Sequence, residues 1–125
     1  MIDNVNTRDC RFIALFKLKI SKDDHHKAVE IINFVIERVR VEAGCKNFQF
    51  FSDTTKKDSF LLLQEWESKL IFEKHIHSDE FRHVLTLIDL AKELPEISFN
   101  TISLQEGLDM IASLKIKAPD RGGDQ

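Results

Sequence analysis

The sequence predicts a single α+β domain, in which four strands form one antiparallel sheet and two helical segments pack against it in the order β-α-β-β-α-β. Three observations carry this. A chain of 125 residues suits one domain. Apolar residues alternate at period two in four stretches and recur at helical spacing in two segments between them. The composition, 42% hydrophobic and 31% charged, is that of an ordinary globular chain, able to bury roughly two-thirds of its unfolded surface.

Residues 1–10 are polar and read as a flexible N-terminus ahead of a domain spanning 11–104. From Arg11 to Ile20 (RFIALFKLKI) the run is β-rich, with Phe12, Ala14, Phe16, Leu18 and Ile20 on one face and Ile13 and Leu15 on the other. Ser21 reads as an N-cap with Asp24 completing a capping box. Ala28, Ile31, Ile32, Val35, Ile36 and Val39 then mark an amphipathic helix over Lys22 to about Arg40, which Gly44 ends. Cys45 to Asp53 (CKNFQFFSD) and Ser59 to Trp66 (SFLLLQEW) form a hairpin across the polar turn Thr54 to Asp58. Ser68 caps a short helix to about His77, and Ser78 starts another that runs towards Lys92 and is closed by Pro95. Glu96 to Leu104 (EISFNTISL) is the fourth strand. Residues 105–125 form a C-terminal extension, with an amphipathic segment over Leu104 to Leu114 and a disordered tail from Pro119.

Right-handed crossovers place both helical segments on one side of the sheet. Yet Ile13, Leu15, Leu61 and Leu63 fall on the strand faces opposite to Phe12, Phe16, Phe60 and Leu62, so both sheet faces are apolar. An open apolar face of several hundred square ångströms is unusual for a soluble monomer. A second copy packed sheet to sheet would cover it, so a homodimer is expected.

The net charge of −3 argues against a nucleic-acid partner, whose phosphates call for a basic surface. No apolar run approaches the ~20 residues that span a bilayer, and no cationic leader with an apolar core opens the chain. With two cysteines only, Cys10 and Cys45, the expected compartment is the cytoplasm and the expected state of both thiols is reduced. Metal ligation is not expected: adjacent His25 and His26 diverge, and His75 and His77 point ~200° apart on a helix.

The residues with chemical potential lie between Glu65 and Phe81. At ~100° per residue, Ile71, Phe72 and Ile76 share a side of the short helix with His75 in its middle, while His77 faces water. A buried histidine is more often a core residue bonded to a backbone carbonyl than a catalyst. Its alternative role is a cavity-lining base or hydrogen-bond donor. Trp66, at the end of the third strand, is either a core anchor or the wall of a pocket for a flat ligand. Glu65 faces the other side of its strand, towards the expected dimer interface, where it would make a salt link.

Glu42-Ala43-Gly44-Cys45, leading into Phe48-Gln49-Phe50-Phe51, resembles the opening of the second strand in antibiotic biosynthesis monooxygenase domains. The likeness continues through Phe60 to Glu65, Trp66-Glu67-Ser68, Phe72, His75, Ser78 and Phe81, and covers about Phe12 to Ser103. It implies a ferredoxin-like fold assembled as a dimeric α/β barrel. It implies cofactor-independent oxygenation of phenols, quinols or related aromatics, in which the deprotonated substrate reacts with dioxygen inside a dry pocket. By the resemblance, His75 is the pocket base or polariser, and Trp66, Phe16, Phe48 and Leu85 are its walls. The family's strand tyrosines are replaced by Phe48 and Phe51; with ten phenylalanines and no tyrosine, no phenolic proton donor exists. The asparagine, tryptophan and axial histidine of a related haem-degrading branch align with Phe16, His75 and Leu85, so none is kept and haem degradation is not implied. Against the enzyme reading stands a non-catalytic ligand-binding or dimerisation module, which the missing tyrosines and the phenylalanine- and leucine-rich pocket favour.

Overall fold

The computed structural model describes residues 11–103 and 107–118. The chain divides into two compact units, one over Cys10–Ile102 and one made of the two ends. In the first, strand β1 (Arg11–Lys19) leads through a single 3-10 turn (Lys22–Asp24) into helix α1 (His25–Arg40). The hairpin β2 (Cys45–Ser52) and β3 (Ser59–Trp66) follows, then the short helix α2 (Lys69–His75), helix α3 (Asp79–Asp89) and strand β4 (Glu96–Ile102). Helix α4 (Leu108–Ala118) belongs to the other unit. The four strands form one antiparallel sheet in the order β2-β3-β1-β4, the ferredoxin-like arrangement.

The alternation read from β1 and β3 fixes the register. Phe12 lies opposite Trp66, Ala14 opposite Gln64 and Phe16 opposite Leu62, all on the face that the helices cover. On β2 a register irregularity between Cys45 and Asn47 lets Phe48 face Gln64 and Phe50 face Leu62, so the strand re-enters phase with the core. Against this face pack Ala28, Ile32, Val35 and Val39 of α1, Phe72 of α2, and Val84 and Leu87 of α3. Helix cover over β4 is thin: Phe72 of α2 meets Phe99 at 5.2 Å, yet Ile97 and Phe99, on the helix-side face, remain 45% and 54% exposed. The opposite face carries Ile13, Leu15, Leu61 and Leu63, all half-buried, with Phe51 exposed beside them.

Two local expectations are corrected. Ser21 makes no side-chain cap; its backbone carbonyl accepts from Asp24 N–H at 2.9 Å, and the chain enters α1 through the 3-10 turn. Helix α1 stops at Arg40, before Gly44, which instead turns the chain into β2 with φ +87°. Glu65 lies opposite Ile13 on the second face, as its strand position predicts, with its carboxylate 3.1 Å from Arg11 Nε. The expected readings of residues 1–10, of Leu104 and of the tail from Pro119 lie outside the described residues. Helix α4 begins at Leu108 and runs to Ala118.

Candidate functional site

Two serine caps place His75. Ser68 Oγ accepts the N–H of Ile71 at the start of α2, and Ser78 Oγ accepts that of Phe81 at the start of α3. Ser78 Oγ–H also donates to the carbonyl of His75 at 2.6 Å. The last residue of α2 is thus tied to the first turn of α3, and its ring is driven inward to 2% exposure.

There the imidazole meets four groups. It lies against the Trp66 indole with centroids 4.5 Å apart, and edge-on to Phe81 at 5.4 Å. Phe72 lies 6.2 Å away on the same helix. The fourth contact is polar: His75 Nδ1 is 3.0 Å from Glu42 Oε1, across 33 residues of sequence. Behind the indole, Trp66 Nε1–H donates to Gln64 Oε1 at 3.0 Å. Three buried polar atoms of these side chains, Glu42 Oε2, Gln64 Nε2 and His75 Nε2, have no hydrogen-bond partner among the described residues. Each such atom costs on the order of 1–3 kcal/mol when left unpaired. That is an unusual concentration for a core otherwise built of phenylalanine, leucine and valine.

Burial sets the protonation of the pair. Loss of hydration holds His75 down at about 4, with Glu80 opposing, so the ring is neutral at neutral pH. The same desolvation, reinforced by the Glu80 carboxylate, pushes Glu42 up to about 7. The Glu42 side chain as a whole keeps 24% of its surface exposed, although its Oε2 is buried. Burial also pushes the neighbouring Cys45 thiol up, with Glu42 contributing.

Of the residues expected in the site, the structure brings His75 and Trp66 into contact. Phe16 and Phe48 lie in the same core, each at 2% exposure or less. Leu85 stands 48% exposed on the outer side of α3 and is not gathered with them. An aromatic run leads outward from the histidine: Phe72 to Phe12 at 5.0 Å, Phe72 to Phe99 at 5.2 Å, and Phe99 to Phe16 at 6.2 Å. A cleft of about 570 Å³ lies elsewhere, between the β2–β3 turn and the loop before β4, and none of the five expected residues lines it. His77 is exposed, and His83 meets Phe34 edge-on at 4.7 Å. Among the described residues no three His, Cys, Asp or Glu side chains gather as a metal-ligand group. Nor, among the described residues, is any helix long and apolar enough to cross a membrane.

Sequence reasoning missed Glu42 and Gln64 as members of the site. Gln64 was within reach, since strict alternation puts it between Leu62 and Trp66 on the covered face. Glu42 was not, because it lies in the irregular turn between α1 and β2, where no periodicity aims a side chain.

A family model described as antibiotic biosynthesis monooxygenase matches residues 11–86. A Synechocystis protein, the uncharacterised sll1783, is 24% identical over 81 residues, an alignment covering 65% of this chain. The chain spans about half of that relative's length, 55%. A conserved Methanosarcina mazei protein superposes with a TM-score of 0.67 at 17% identity, over 79% of this chain and 97% of the other. The crystal structure of an antibiotic biosynthesis monooxygenase superposes with a TM-score of 0.63 at 14% identity, over 76% of this chain and 99% of the other. At such identities these structures establish a shared fold.

Proposed function

The chain belongs to the antibiotic biosynthesis monooxygenase family, and from that premise we propose that it is a cofactor-independent monooxygenase of a small phenol- or quinol-like aromatic, with His75 taking the substrate's proton. One observation carries the reading: a neutral, buried histidine, paired through Nδ1 to a carboxylate, whose other nitrogen has no partner among the described residues. A structural histidine would have both nitrogens engaged or one in water. Here Nε2 is left for a proton that a bound molecule would bring.

The chemistry follows from the surroundings. A phenol or quinol becomes reactive towards dioxygen when it loses its proton, and a positioned base that is free of its own proton can take it. Burial keeps His75 unprotonated at neutral pH, and the Glu42 carboxylate 3.0 Å from Nδ1 would support the ring once it takes up the substrate's proton. The aromatic ledge of Phe12, Phe72 and Phe99 suits a flat ring, and the exposure of Phe99 and Ile97 makes it the accessible approach. Phe72 is the member of the ledge next to the histidine, so movement of its ring is the step that admits the substrate. Phe16, Phe48 and Trp66 back the site, and Leu85 lies outside this version of it. The working unit in this reading is a cytoplasmic homodimer, joined through the face that carries Ile13, Leu15, Leu61 and Leu63.

A second reading is favoured by one specific observation. Phe16, Phe48 and Trp66 are packed so fully that they occupy the space they would otherwise enclose, which suits a non-catalytic module, and a dimerisation module more than a ligand-binding one. Oxygen uptake with a panel of phenols and quinols separates the two. The enzyme reading expects turnover of at least one quinol, falling 10²-fold or more in His75→Ala, on the order of a general-base contribution. Unchanged turnover in that variant would remove His75 from the mechanism, and binding without uptake would establish the module.

A further inference from the structure

We infer that Glu42 is a positioning residue: it sets which ring nitrogen of His75 carries the proton, and so whether Nε2 is offered as a lone pair or as an N–H. The inference rests on the proposed role of His75, but its test does not.

The geometry leaves few alternatives. Glu42 Oε1 and His75 Nδ1 are 3.0 Å apart, a distance at which one proton must lie between them. If Glu42 is ionised, it can only accept, so Nδ1 carries the proton and Nε2 holds a lone pair. If Glu42 is protonated, its O–H donates to Nδ1, and the neutral ring must carry its proton on Nε2. Nε2 is buried and has no partner among the described residues that could impose the other choice. Neither the indole of Trp66 nor the rings of Phe72 and Phe81 can, since Trp66 spends its N–H on Gln64.

The alternative protonated state, a carboxylate–imidazolium pair, is opposed by burial. The imidazole is sealed, and desolvation holds it at about 4 while Glu42 is held at about 7. Proton loss near neutrality therefore falls on the carboxyl, and the ring changes tautomer without changing charge. The charged groups that act on the pair are few. Glu80 on α3 raises both members. The Cys45 thiol on β2 is pushed up and stays neutral, and Arg40 on α1 spends Nε on the carbonyl of Phe48 at 3.1 Å. A substrate O–H would consequently find an acceptor above the Glu42 titration and only a donor below it. The pH profile of activity would then follow Glu42, although His75 is the group that meets the substrate.

Long-range ¹H–¹⁵N correlation of the histidine rings tests this on the substrate-free protein, between about pH 5.5 and about pH 8.5. The expected result is that the two ring nitrogens of His75 exchange pyridine-like and pyrrole-like shifts around pH 7, without an imidazolium signature. Glu42→Gln should abolish the exchange and Glu42→Asp should retain it. A single tautomer across the range, an imidazolium at its lower end, or an exchange that survives Glu42→Gln would each overturn the inference. If Glu42→Gln does not fold, the wild-type titration alone still decides between exchange and its absence. Because no substrate is present, tautomer exchange with no oxygen uptake would overturn the catalytic reading alone. Uptake with a fixed tautomer would overturn only the role of Glu42.

Discussion

At the scale of single residues, the pair of Glu42 and His75 makes two opposed contributions to stability. Glu42 is raised from 4.5 to about 7, so the folded state holds its proton longer than the unfolded chain, and this contribution is lost as pH rises through that interval. His75 is lowered from 6.5 to about 4, so its contribution is complete above 6.5 and is lost as pH falls towards 4. Between 4.5 and 6.5 the two slopes have opposite signs and offset each other. Glu42→Gln should expose the histidine alone, so that denaturation midpoints rise with pH over this window more steeply than in the wild type. An equal slope in both proteins would show that Glu42 has no raised pKa. The inward turn of His75 was legible in the sequence because Ile71, Phe72 and Ile76 phase the helix around it. Leu85 was less so: Val84 and Leu87 centre the buried stripe of α3, which leaves Leu85 at its margin. The carboxylate partner was invisible, since a contact spanning 33 residues between a turn and a helix end has no local signature.

At the scale of elements, two short structures hold the site in place. Ser78 both caps α3 and ties down the carbonyl of His75. Ser78→Ala should lower stability by about 1 kcal/mol, measured by chemical denaturation, and should loosen the histidine's ring contacts. Gly44 closes the turn that carries Glu42. Its φ of +87° is one that side chains adopt rarely, and an added Cβ would lie 2.6 Å from Ile71 Cγ2. Gly44→Ala should therefore destabilise by about 2 kcal/mol. Adding Ile71→Ala to that variant should recover part of the clash term and none of the backbone strain. An unchanged midpoint in Gly44→Ala would mean that the turn relaxes freely. The strands were legible almost to the residue, because alternation on a one-layer sheet leaves little choice of face. Helix ends were not: Ser21 carries the residue type of a cap, but the 3-10 turn satisfies the first N–H groups through the backbone instead.

At the scale of the whole molecule, the two-faced sheet sets the main expectation. Sedimentation at micromolar concentration should give a dimer, and Leu63→Glu, which places a charge in the middle of the second apolar face, should shift it to monomer. A wild-type monomer would contradict the two-faced-sheet argument. The fold was readable from pattern because each level agreed with the next, from alternation to hairpin to crossover. The candidate site rests on fewer residues: alternation and helix phase place Gln64 and His75 in the core, but no pattern places Glu42, which lies in a turn. Incubation of the metal-depleted protein with a quinol substrate under ¹⁸O₂ tests the central claim most directly. A monooxygenase that uses His75 as its base should leave one labelled oxygen atom in the product, formed by the wild type and suppressed in His75→Ala; a product free of label, or equal labelling by both proteins, would rule that role out.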